Sequence, residues 1–89
     1  MMTIVFDKNS PAWTKNPENN KLFLYYQQNY INDLLKARGY IFKNQIYELL
    51  GITWDPNDEN TCYQYNGDRM FIGFKFESMD DDQIVIEVI

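Results

Sequence analysis

The 89-residue sequence has no histidine and a single cysteine. Without histidine it lacks the side chain most often used as a general base near neutral pH and most often found on a metal. The lone Cys62 cannot close an internal disulfide, which excludes the stapled secreted mini-proteins of this size. No apolar run approaches the ~18 residues of a membrane-spanning helix. The stretch from Met1 to Phe6 is cut off by Asp7 and Lys8, short of the about 7–15 apolar residues of a signal-peptide core. Position 2 is Met rather than Gly and no cysteine lies near the C-terminus, so no lipidation motif is met. Gly-rich phosphate loops, Cys-x-x-Cys pairs and nucleophile elbows are missing as well. The expectation is a cytoplasmic protein without cofactor or metal and without a membrane contact.

What is present is apolar and aromatic. Hydrophobic residues make up 45% of the chain and aromatic ones 17%, too much for a disordered polymer. At this length one domain, residues 1–89, is expected, with a thin core.

Residues 2–6 form a β-branched and aromatic run that reads as a strand. A polar loop follows, in which Trp13 serves either as an anchor on the core or as a contact for a partner. Asn16-Pro17-Glu18 is a helix start: Asn caps, Pro suits the first helical position, and the acid suits the helix dipole. Apolar residues then recur at helical spacing over 17–38, and Gly39 stops the helix. The spacing puts Phe23, Tyr26, Tyr30, Leu34 and Ala37 on one side of a wide buried stripe and Leu24, Ile31 and Leu35 on the other. Gln27 falls within it, and a buried amide must find a backbone partner. Leu22 and Tyr25 point off the stripe. Residues 40–42 read as an extended link, and 44–50 as a second helix closed by Gly51. Alternation then predicts strands at 61–65, 69–77 and 83–89, with Asn66-Gly67 as a hairpin turn. The expected fold is α+β: two helices on one face of a small antiparallel sheet, with the last three strands as a meander and residues 2–6 on an edge.

Charge is uneven along the chain. Residues 1–45 carry six basic and three acidic side chains, a net +3; residues 46–89 carry two basic and ten acidic, a net −8. Asp55, Asp58 and Glu59 fall in one loop and Asp80, Asp81 and Asp82 in another. Such a field repels nucleic acid and attracts cationic surfaces over a Debye length of ~8 Å. Base stacking by the tyrosines is disfavoured for a second reason, since Tyr26 and Tyr30 are assigned to the buried stripe. Asp55, Asn57 and Glu59 sit at positions 1, 3 and 5 of a calcium loop. The required Gly at position 6 is Asn60 and the bidentate Glu at position 12 is Asn66, so the motif fails. No buried pair of acids stands out for carboxylate catalysis.

The segment PENNKLFLYYQQNYINDLLKARGYIFKNQIYELLG, residues 17–51, resembles a family of short uncharacterised proteins of phages and mobile elements of Gram-positive bacteria. NDLLKARGYIFKNQIYELLG, residues 32–51, is its most telling part. The resemblance implies a phage or prophage setting. Small acidic proteins there serve as virion components, regulators or inhibitors of host defence.

These observations lead to the expectation of a non-enzymatic module that binds a host or phage protein with a basic surface. The candidate contacts are Asp55, Asp58, Glu59, Asp80, Asp81 and Asp82 for charge and Trp13, Trp54, Tyr63 and Phe71 as aromatic anchors. The alternative is a structural protein that assembles as a homo-oligomer through an exposed edge at the apolar last strand.

Overall fold

Three strands carry the larger sheet: β1 (Met2–Asp7), β4 (Phe74–Met79) and β5 (Gln83–Val88), in the order β1-β5-β4 and antiparallel throughout. The structure, a computed structural model, describes residues 2–57, 59–65, 71–80 and 82–88. Alternation along β5 sends Ile84, Ile86 and Val88 into the core and leaves Val85 and Glu87 half-buried on the other face. Ile4 and Phe6 join them from β1, and Phe74 from β4. The chain is a small α+β fold in which two helices, α1 (Pro17–Arg38) and α2 (Lys43–Leu49), accompany antiparallel strands. A second sheet has two strands, β2 (Tyr40–Phe42) and β3 (Cys62–Gln64).

The strand pairing differs from the expected meander. β3 does not pair with β4; it pairs with β2, the segment read from sequence as a link. The strand expected at 69–77 begins only at Phe74. The reason lies in α1. Asn32 Oδ1 accepts from Ile72 N–H at 2.8 Å and its Nδ2 donates to Ile72 C=O at 2.8 Å, while Gln28 Oε1 accepts from Phe74 N–H at 2.8 Å. Side-chain amides of a helix thus satisfy backbone groups that a neighbouring strand would otherwise take. The expected Asn66-Gly67 turn lies outside the described residues, and the strands it was to join belong to different sheets. β5, expected at an exposed edge, is the central strand, paired on both sides by β1 and β4. Its apolar residues Ile84, Ile86 and Val88 serve the core from a strand flanked on both sides.

Helix α1 starts as its sequence dictates. The Asn16 side chain accepts from Glu18 and Asn19 N–H, Pro17 follows, and Gly39 closes the helix at φ 83°. Its buried face is turned from the expected one. Leu24, Ile31 and Leu35 are fully buried, whereas Tyr26 is 67% and Tyr30 49% exposed, and Ala37 is exposed too. Gln27 is half-buried, and the bonded amides are instead Asn20, Gln28 and Asn32. Asn20 clamps Thr14: its Oδ1 accepts from Thr14 N–H at 2.8 Å and its Nδ2 donates to Thr14 C=O at 2.9 Å. Three amides with backbone partners can be buried at little cost, and the tyrosines, whose hydroxyls favour water, rotate outward.

The N-terminus of α2 is capped by neighbours. Lys43 N–H donates to Thr61 C=O at 2.8 Å, Asn44 N–H to Asn60 Oδ1 at 3.0 Å, and Gln45 Oε1 accepts from Phe42 N–H at 2.9 Å. After α2, Gly51 adopts φ 69°. It lies so close to the loop after β1 that a Cβ there would stand 2.6 Å from Ser10 Oγ. Ser10 is itself buried and donates to Leu50 C=O at 2.7 Å. Thirteen buried apolar side chains from β1, both helices, β2, β4, β5 and the coil at Ile72 make one core among the described residues.

Candidate functional site

The two halves of the chain, which differ in net charge, are interleaved in the fold. β1 pairs with β5 and β2 with β3, so each sheet combines a strand from the cationic half with one from the anionic half. The candidate acids also divide between the sheets. Asp80 and Asp82 stand at the β4–β5 turn, whereas Asp55 and Glu59 lie on the loop that leads to β3. All four are exposed; Asp58 and Asp81 lie outside the described residues. Among the described residues the one ion pair is Lys75–Glu77, 3.6 Å apart on the open face of the sheet, so none of these four acids is matched to a cation.

The aspartates have a local task too. Asp80 Oδ1 accepts from Asp82 N–H at 2.8 Å and Gln83 N–H at 2.9 Å. Asp55 Oδ1 accepts from Asn57 N–H, and Asp7 Oδ1 from Asn9 N–H, both at 2.9 Å. Each closes a turn through its own side chain, the conformation for which Asp and Asn are favoured. At Asp80 one carboxylate oxygen takes both bonds, and among the described residues the turn makes no bond to the second. Asp7, facing Gln83 across the β1–β5 ladder, adds a third acid to that end of the sheet.

The four candidate aromatics occupy four environments. Trp13 folds back onto the core, its ring edge-to-face with Phe6 at 5.4 Å between centroids. Tyr63 packs on the core from β3, and burial pushes its phenol pKa up. Trp54 is half-buried, with its indole N–H enclosed and no acceptor among the described residues. Phe71 is 59% exposed. They do not form one patch.

Trp13 and Asp80 do meet, at a cavity of about 160 Å³ between the loop before α1 and the β4–β5 turn. Trp13, Pro17, Met79 and Ile84 give it apolar walls; Thr14, Lys15, Asn20 and Asp80 give it polar ones. A β-bulge makes this lining possible. The register slips between Phe76 and Ser78, so that Ser78 faces Val85 and Met79 faces Ile84. Without the slip, period two would send Ser78 inward and Met79 to the opposite face. Both walls are held by hydrogen bonds, Thr14 by Asn20 and the turn by Asp80. The sequence gives no direct sign of this cavity, because the bulge and the Asn20 clamp are both tertiary effects.

Three other surfaces stand out. On the open sheet face Glu77 and Glu87 share a hydrogen bond. That bond and the nearby Lys75 hold Glu77 below the usual carboxylate range, and Glu87, donating to its neighbour, titrates above it. The outer side of the β2–β3 ribbon shows Tyr40 and Phe42 edge-to-face at 5.7 Å, beside Cys62, with the Arg38 guanidinium 5.5 Å from the Tyr40 ring centre. The third is the exposed row Leu22, Tyr26 and Tyr30 on α1. Tyr26 and Tyr30, placed by periodicity in the core, are surface groups.

Among the described residues no helix is long and apolar enough to cross a membrane, and no group of three or more acidic or thiol side chains is arranged around a metal position. No curated protein and no solved structure matches the chain. One family model does match, over residues 2–88 and hence nearly the whole sequence, and by that match the chain belongs to a family of unknown function, DUF6353.

Proposed function

We propose that the chain is a small protein-binding module that recognises a partner with a basic surface through the acidic end of its larger sheet. The carrying observation is the β4–β5 turn. Asp80 and Asp82 are exposed, unmatched by any cation among the described residues, and held on a hairpin whose geometry Asp80 itself fixes. An ordered charge loses little entropy when a partner arrives, and a cluster of one sign accelerates encounter with the opposite sign. Asp7 on β1 strengthens this end; Asp55 and Glu59 act at longer range from the other sheet. A role in binding rather than catalysis fits a cavity lined by one carboxylate, without a second acid beside it to share general acid–base work. The likeness of residues 17–51 to short phage and mobile-element proteins supports a host or phage protein as the partner, with inhibition of a host defence as one form of the activity.

The test is affinity capture from host lysate with the wild-type chain and the D80N/D82K variant. Asn keeps the turn acceptor at position 80, so the variant changes charge and preserves the hairpin. Proteins retained by the wild type at low salt and lost both at high salt and with the variant support this function. An unchanged set of captured proteins overturns it.

A further inference from the structure

The geometry points to the Trp13–Asp80 cavity as the receptor for a single cationic side chain, an arginine, of that basic partner. The inference rests on the proposed recognition of a basic surface and assigns its anchoring contact. Its size comes first: about 160 Å³ is room for one long side chain and too little for a folded segment. The chemistry of the walls comes second. An arginine needs apolar surface for its methylene stem, an aromatic ring for the guanidinium, and a carboxylate for its N–H donors. Met79, Ile84 and Pro17 supply the first, Trp13 the second and Asp80 the third. Tryptophan is the strongest of the aromatic cation receptors. Asp80 spends one oxygen on the turn, through the bonds from Asp82 and Gln83, and the carboxylate remains exposed and free of any cation among the described residues.

Preorganisation completes the case. Trp13 is fixed by its ring contact with Phe6 and by its N–H bond to Ser10 C=O at 3.0 Å, and the next residue is clamped by Asn20, itself 2% exposed. Side chains already held in place cost less to use in binding. One wall residue opposes the incoming cation: Lys15 lines the same cavity. Its ammonium makes no ion pair with Asp80, and it opposes an incoming cation by like-charge repulsion. Removing this lysine must therefore improve binding.

The probe is Nα-acetyl-arginine methylamide, with the uncharged Nα-acetyl-citrulline methylamide as its near-isosteric control. Titrations follow the Trp13 indole N–H and the Ile84 methyl signals by NMR. The wild type is expected to show saturable shifts at both, with a dissociation constant on the order of millimolar for so small a ligand. Asp80→Asn weakens binding about threefold, Lys15→Ala tightens it about twofold, and citrulline gives no saturation, as expected for a partly exposed charge contact. Should Asp80→Asn fail to fold, the Lys15→Ala and citrulline comparisons decide alone. Equal shifts from both probes, no shift at Trp13, or no gain from Lys15→Ala would overturn the inference. If lysate capture still depends on Asp80 and Asp82 while the probe fails at Trp13, the cavity assignment falls and the basic-partner reading stands. If capture is indifferent to both acids, that reading falls whatever the probe does.

Discussion

Asn32→Ala is the sharpest test of how α1 organises the fold. Asn32 is 8% exposed and makes three bonds, two of them to Ile72, whose own exposure is 2%. Truncation removes two tertiary hydrogen bonds worth about 0.5–1.5 kcal/mol each. It also strands a buried N–H and a buried C=O, each of which costs about 1–3 kcal/mol when unsatisfied. Partial hydration of the new gap reduces that sum, and a loss of about 2–4 kcal/mol is expected. For a domain of this size that is a fall of roughly 8–32 °C in Tm, at about 4–8 °C per kcal/mol. Urea unfolding followed by circular dichroism measures it, with Asn29→Ala on the exposed side of the same helix as the control, expected within about 0.5 kcal/mol of wild type. Asn32→Asp sharpens the result. Its carboxylate keeps the acceptor for Ile72 N–H but sets a negative oxygen against the carbonyls of Ile72 and Gln28. Burial and those carbonyls raise the pKa of the new acid, so its deficit should shrink as pH falls and the protonated form donates again. A loss below about 0.5 kcal/mol for Asn32→Ala would refute the view that helix amides stand in for a strand at residues 72–74.

Other substitutions test separate parts of the structure. Gly51→Ala places a Cβ 2.6 Å from Ser10 Oγ at φ 69° and is expected to cost about 2–4 kcal/mol by thermal or urea unfolding, whereas Gly39→Asn, in open space at φ 83°, should stay within about 1 kcal/mol of wild type. Asn16→Ala removes the cap bonds to Glu18 and Asn19 and should lower stability by about 1 kcal/mol. At the Glu77–Glu87 pair, Glu87 has its pKa raised on folding, so its contribution is present below the unfolded pKa and is lost as pH rises through the folded one. Glu87→Gln keeps a donor toward Glu77 at every pH; its Tm should match wild type in acid and exceed it near pH 7, and an equal offset at both pH values would contradict the shared hydrogen bond.

Much of this architecture is legible in the sequence, and the parts that are not have physical reasons. Asn16, Pro17 and Gly39 mark both ends of α1 because capping and left-handed φ are local chemistry. The alternation of Ile84, Ile86 and Val88 gives the buried face of β5 for the same reason. Periodicity mislays the orientation of α1, since counting apolar residues places Tyr26 and Tyr30 inside and takes no notice of Asn20, Gln28 and Asn32. Those amides are buried or half-buried through partners 4 to 46 residues away in sequence. Strand pairing fails likewise: three residues, Tyr40–Phe42, are too few to show a period, yet they take β3 as partner. At the candidate site, the acids of the β4–β5 turn are visible as a polar loop between alternating runs. The cavity beside them depends on the bulge at Phe76/Ser78, which brings Met79 to the side of Ile84.

Salt dependence of binding addresses the proposed recognition most directly. A partner captured by the wild-type chain is titrated by calorimetry from about 50 to 300 mM salt, a range over which the screening length shortens from roughly 14 to 6 Å. The wild type should weaken steadily along it, while D80N/D82K should bind more weakly at the lowest salt and change little thereafter, the two converging at the top. Parallel salt slopes for the two proteins would show that the turn carries none of the attraction.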